Sequence, residues 1–214
     1  TATFASATAG NVIVATTGSD DYKTGDPSGW TLSTGMSQQT FLGHYLYWKL
    51  AAGGETSMAL NVGSAVPASW AAMEISGLDP VSPYDVSNGQ LVTGGALLHT
   101  TPTITPSAGE RFVVASMGGS WSGGSLTVDT WLNGFVEQQD ICTTLGGGTR
   151  DLVSLATLAM TANGSTGIDT GATYSDLAQS RTGLIIAFKV AAAATGRPPR
   201  RNYHTAAVRR ASTW

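Results

Sequence analysis

Apolar residues recur along this chain in short runs, each broken by clusters of Gly, Pro, Asn and Asp. The strongest runs are NVIVATT (11–17), FLGHYLYWKL (41–50), TSMALNV (56–62), SWAAMEI (69–75), RFVVASM (111–117), SLTVDTWL (125–132), LVSLATLAM (152–160) and GLIIAFKV (183–190). Runs of this length, rich in Val, Ile, Thr and aromatics and bounded by turn residues, predict strands. Between them, GDPSG (25–29), SGLDPVSPYD (76–85) and TPSAG (105–109) carry the Pro and Gly that set turn dihedrals or withhold a ladder donor. Alternation supports the assignment, because successive side chains of a strand point to opposite faces. Leu42, Leu46, Trp48 and Leu50 then share a core face, while Tyr45, Tyr47 and Lys49 share the other, which meets a second sheet or a partner. In the last run Leu184, Ile186, Phe188 and Val190 form a core row opposite Ile185, Ala187 and Lys189. A helical signal is weak: SDLAQ (175–179) suffices for one turn. Eight or more strands predict an all-β fold, an antiparallel β-sandwich (jelly-roll-like). Burial of its apolar rows at ~25 cal/mol per Å² is ample to offset chain entropy.

Composition sharpens this picture. At 214 residues a single β domain is the expectation, and 12% charged residues with 27 glycines describe a turn-rich, sparsely charged surface. The net charge of −3 hides a split: residues 1–195 hold 14 acids and six bases, a balance of −8, whereas GRPPRRNYHTAAVRRASTW (196–214) holds five arginines and no acid. Two units follow, a β-sandwich domain over 1–195 and an extended, basic C-terminal arm over 196–214. The lone Cys142 excludes an internal disulfide and reads as a small buried hydrophobe. TATFASATAG at the start lacks the basic and apolar regions of a signal peptide, and no run has the length of a membrane span.

The order GW (29–30), YLYWKLAAGGETSMAL (45–60), SWAAMEISGLDPVSPYD (69–85), TPTITPSAGERFVVAS (101–116) and TGLIIAFKVA (182–191) resembles a β-sandwich module of tailed-bacteriophage virion proteins, minor tail proteins in particular. The resemblance covers most of 10–192 and lies more in the order of the pieces than in any one of them. It implies a structural or adhesive part with no shared catalytic residues, placed on the exterior of a phage particle and made in the host cytoplasm. The basic arm lies outside it.

Motifs for chemistry are nearly absent. There is no phosphate loop ending in Lys-Ser/Thr, no HExxH and no nucleophile elbow; GSWSG (119–123) puts Trp121 where a nucleophilic Ser would stand. The expectation is a non-enzyme with no cofactor and no metal. His44, His99 and His204 lack ligand spacing, so structural or surface roles are expected. Asp20, Asp21 and Asp26 share a Gly-rich loop that could wrap a calcium ion, but their spacing is not that of an EF-hand. Glu74 with Asp79 or Asp85 could mimic a glycosidase pair, which needs two acids ~5 to 9.5 Å apart; an Asp in a Gly/Pro turn more often binds its own backbone. Asn163-Gly-Ser spells a glycosylation triplet, and a turn explains it equally.

Aromatics make the case for binding. Trp121, Trp30 and Tyr84 are the candidate glycan-stacking residues, Trp121 foremost because glycines surround it; the competing reading has loop aromatics capping the sandwich, with Trp70 and Trp131 anchoring its core. In the arm, Pro198-Pro199 favours a stiff path away from the body. Helical spacing would align Tyr203, Ala207, Ala211 and Trp214 beside Arg209 and Arg210. Arginines and aromatics are the types enriched at interface hot spots. Arg197, Arg200, Arg201, Tyr203, Arg209, Arg210 and Trp214 are therefore the candidate partner-binding residues. The partners expected are other virion proteins and further copies of this chain. Two other readings compete: phosphate contact, for which five cations on a net-acidic protein are few, and an unstructured terminus, in which RRAS reads as a phosphorylation sequence. A minor tail or exterior decoration protein anchored by the arm is the leading function, and a carbohydrate-binding adhesin contacting the host envelope is the alternative.

Overall fold

The computed structural model describes residues 1–19, 23–38, 42–61, 68–94, 96–121, 126–144, 150–177 and 180–192. Its strands, in chain order, are β1 (Ala2–Thr3), β2 (Val12–Ser19), β3 (Thr31–Gln38), β4 (Leu42–Leu50), β5 (Ser57–Met58), β6 (Ala68–Ile75), β7 (Tyr84–Thr93), β8 (Leu98–Thr100), β9 (Gly109–Trp121), β10 (Val128–Trp131), β11 (Val136–Thr144), β12 (Arg150–Ala162), β13 (Gly171–Tyr174) and β14 (Ser180–Lys189). All eight runs singled out by alternation contain a strand, though TSMALNV is reduced to the two residues of β5. Ser175–Leu177, the three described residues of the five-residue helix candidate, are not helical. No helix long and apolar enough to cross a membrane occurs among the described residues.

The sheets are antiparallel. Four strands pair in the order β3-β4-β2-β6 and five in the order β11-β12-β9-β14-β7, so each main sheet draws on one half of the chain. They face each other as a sandwich. Val14, Leu46 and Met73 of the first meet Val114, Ile186 and Phe188 of the second in the central core. Leu46 and Trp48 point into that core while Tyr45 and Tyr47 point away, as alternation required.

Both main sheets are also covered on their outer faces. Over the five-stranded sheet lies a three-stranded one, β10-β13-β8, and Ile185 and Ala187 of β14 pack beneath it with Val113 and Ile168. Over the four-stranded sheet lie the β1-β5 ribbon and flanking loops, which enclose Tyr45, Tyr47, Met58 and Trp70. The result is four layers rather than two. Strands of the middle layers are therefore apolar on both faces: β14 is buried from Ser180 to Phe188. Trp70, expected in the sandwich core, belongs instead to the outer cluster on β6.

Turns fall where Gly and Pro predicted them. Gly77 adopts φ 78°, in the left-handed region where a Cβ is costly. Next to it the Asp79 carboxylate accepts the N–H groups of Val81 (2.9 Å) and Ser82 (3.0 Å). Asn163 does the same for Ser165 and Thr166, so its triplet is a turn in this fold.

Candidate functional site

Four residue groups bear on function: a joint made of turn motifs, a buried imidazole network, the candidate aromatics, and an acidic outer face.

The joint gathers pieces far apart in sequence. Asp85, at the start of β7, accepts hydrogen bonds from Ser107 N (3.0 Å), Ser107 Oγ (2.9 Å) and Arg111 Nε (2.6 Å). The guanidinium also donates to the carbonyls of Ala108 (2.9 Å) and Glu110 (2.7 Å). Both side chains of the ion pair are nearly buried, at 7% and 10% exposure, so the charges are shielded and fully engaged. Burial opposes ionisation of Asp85, but its partners, Arg111 first, outweigh that and hold the carboxyl below its ordinary range. The SGLDP turn docks on the same end: Asp79 N donates to Lys189 O (2.9 Å), Ala191 N to Gly77 O (2.9 Å) and Val190 N to Glu110 O (3.2 Å). Three sequence blocks, 69–85, 101–116 and 182–191, thus close on one another at the end of β14. Glu74, the other acid weighed as a glycosidase partner, is held by Thr8 N and Asn11 Nδ2. Each of these carboxylates is spent on backbone or ion-pair bonds.

His44 sits fully buried between the main sheets. Its Nδ1 lies 2.5 Å from Thr182 Oγ1, and its Nε2 lies 2.8 Å from Thr16 Oγ1 and 2.9 Å from Ser116 Oγ. Hydroxyls can donate or accept, so they satisfy a neutral ring at both nitrogens. Burial, with the charge of His99 adding to it, pushes the imidazole down to about 3. A Ser beside a His invites a nucleophilic reading, but a ring that stays neutral inside a closed sandwich orders the core. His99 is also buried, and burial followed by the Arg181 charge lowers it to about 4. Among the described residues no group of three His, Cys, Asp or Glu side chains could hold a metal ion. Asp20, Asp21 and His204 lie outside the described residues, while Asp26 pairs with Lys23.

The candidate aromatics are not brought together. Trp121, at the end of β9, is half-buried against Met117, Leu126 and Leu152, so its flanking glycines do not leave it bare. Trp30 packs edge-on against Phe4 at 6.3 Å, outside the four-stranded sheet. Tyr84 stacks on Trp48 at 6.1 Å with 11° between planes, at the rim of the sandwich. These are three separate clusters, and each ring already has a protein partner. Cys142 is half-buried beside the cluster that holds Trp121. The candidate partner-binding residues of the arm, Arg197 to Trp214, lie outside the described residues.

Sequence reasoning passed over the outer face of the three-stranded sheet. Beneath it the buried Arg181 guanidinium donates to the carbonyls of Gly94, Ala96 and Leu98, fixing the approach to β8. Register places Leu98, Thr173 and Thr130 in one cross-strand row, with His99, Ala172 and Trp131 in the inward row below. Leu132 lies alongside, its Cδ1 3.0 Å from where a Cβ on Gly171 would stand. Leu98 is 51% exposed, and Leu97, Leu132, Leu177 and Val92 are exposed with it. The segments that carry and flank this sheet, 94–100, 126–135 and 168–177, hold Asp129, Asp169 and Asp176 and no Lys or Arg, and β11 of the five-stranded sheet adds Glu137 and Asp140 beside them. One of them, Asp140, is pushed up to about 7, by burial first and then by the neighbouring Glu137 and Asp129; a bond from Val128 N (2.9 Å) opposes the rise. The usable signal was the local charge imbalance around short polar-apolar segments.

Comparison with known proteins gives no match: no family model, no curated protein and no solved structure matches the chain.

Proposed function

We propose that this chain is a non-enzymatic structural protein of a tailed bacteriophage, exposed on the particle as a minor tail or decoration protein and anchored to neighbouring subunits by residues 196–214. The observation that carries the reading is the joint. The sequence blocks that resemble phage virion proteins are the ones that lock Gly77, Asp79, Asp85, Ser107 and Arg111 around the end of β14. Residues used to brace the exit of a C-terminal segment suit a part whose task is to hold and be held. The split of −8 against five arginines supports it, since opposite charge steers and orients assembly. A glycan platform built from Trp30, Tyr84 and Trp121 is the weaker reading, because the three rings lie in separate clusters.

The test is to label the protein on purified particles and image them. Signal on the exterior that disappears when 197–214 is deleted supports the proposal. Absence of the protein from purified particles, or release of reducing ends from cell-wall glycan by the isolated chain, overturns it.

A further inference from the structure

Large apolar side chains are exposed on and beside the three-stranded sheet: Leu98 in its outward row, Leu132 next to Gly171, and Leu97 and Leu177 in the flanking segments. An exposed apolar patch of this kind, rimmed by polar groups, marks an interaction surface. Its charge narrows the occupant. Asp129, Asp169 and Asp176 lie in the segments that carry the face, which contain no base, Glu137 and Asp140 follow on the neighbouring β11, and the only cation beneath the face in the described structure, Arg181, is buried in carbonyl contacts. The complementary composition occurs in this same chain: residues 196–214 hold five arginines, Tyr203 and Trp214, and no acid.

We propose that the outer face of the β10-β13-β8 sheet is the docking surface for residues 196–214 of a second copy of this chain. The aromatics cover the leucines, and the arginines meet Asp129 and Asp176 at the rim. A neighbour is the occupant because the anchor reading has 196–214 lap onto another body, and a balance of −8 against five arginines makes two copies complementary in charge. The segment of one copy on the outer sheet of the next makes a head-to-tail contact, which closes into a ring or grows as a filament. The inference rests on the reading of 196–214 as an anchor and adds where it lands.

Sedimentation of the full-length chain tests it. Association should rise with protein concentration, weaken as salt screens the charges, and be competed by a synthetic peptide of residues 196–214. Leu98→Asp changes a half-exposed side chain and should weaken association roughly tenfold or more, as should Arg209→Glu with Arg210→Glu. Val81→Asp, on the exposed turn at the other end of β14, should leave it unchanged. Circular dichroism and melting confirm that each variant is folded. A chain that stays monomeric at every concentration, or a folded Leu98→Asp that associates like the unaltered chain, overturns the proposal. Association lost in Leu98→Asp while the protein is missing from purified particles would sink the phage assignment and leave this contact standing.

Discussion

Asp85 and Arg111 show how much one pair of residues holds. Their bonds join β7, the 105–109 turn and β9, and both side chains are nearly shielded from solvent. Removing one partner strands the other, so Asp85→Ala should cost about 3 kcal/mol in denaturant melts, and Asp85→Ala with Arg111→Met distinctly less. Gly118 is a steric counterpart. A Cβ there would stand 2.6 Å from Thr182 Oγ1 and 2.7 Å from His44 Nδ1. Gly118→Ala should therefore destabilise by roughly 1–3 kcal/mol, whereas Gly25→Ala, with open space around it, should stay within about 0.5 kcal/mol. Asp140 adds a pH dependence. Its folded value, about 7, stands above the ordinary 3.8, so its contribution is complete below about 3.8 and is lost as pH rises through 7. Asp140→Asn should be increasingly stabilising, relative to the unaltered chain, from pH 4 to pH 8. His44 works in the opposite sense, since its lowered value costs stability as pH falls below 6.5 toward 3. The difference between variant and parent is the readout, because the raw profile mixes the two.

At the level of elements, the four-layer stack makes the middle strands unusual. Ile185 and Ile186 are adjacent, face opposite sides of β14, and are both fully buried, one under the outer sheet and one in the central core. Each of Ile185→Ala and Ile186→Ala should cost about 2–5 kcal/mol by chemical denaturation, where a simple two-sheet sandwich would penalise only one. Within the two main sheets, the strands that alternation did not reveal, β3 (TLSTGMSQ), β7 (YDVSNGQLVT) and β11 (VEQQDICTT), are all sheet edges. An edge strand is held by backbone hydrogen bonds on one side and needs few apolar side chains, so its sequence stays polar. In β7 the Asn88-Gly89 pair even imitates a hairpin turn. Gly89 is there because β3 and β14 come close: a Cβ would stand 2.7 Å from both Thr34 Oγ1 and Leu184 Cδ2.

For the whole molecule, the described core is closed within residues 1–192, so the arm should add function without adding fold. Deletion of 196–214 should leave cooperative melting of the body unchanged while abolishing self-association, measured by scanning calorimetry and sedimentation on the same preparation. A body that unfolds without the segment would instead place those residues in the core.

The eight strong strands, both rows of β14, the turns at Gly77 and Asn163, and the division between an acidic body and a basic end were determined by the sequence alone, through periodicity, turn chemistry and charge. Periodicity states that a face must be buried, not by what. Only the tertiary structure decided that both outer faces of the sandwich receive a further layer, that Trp30, Tyr84 and Trp121 end in different clusters, and that exposed leucines and acids gather on and beside the three-stranded sheet. Those outcomes depend on contacts between segments tens of residues apart, and local alternation carries no record of which distant segment arrives.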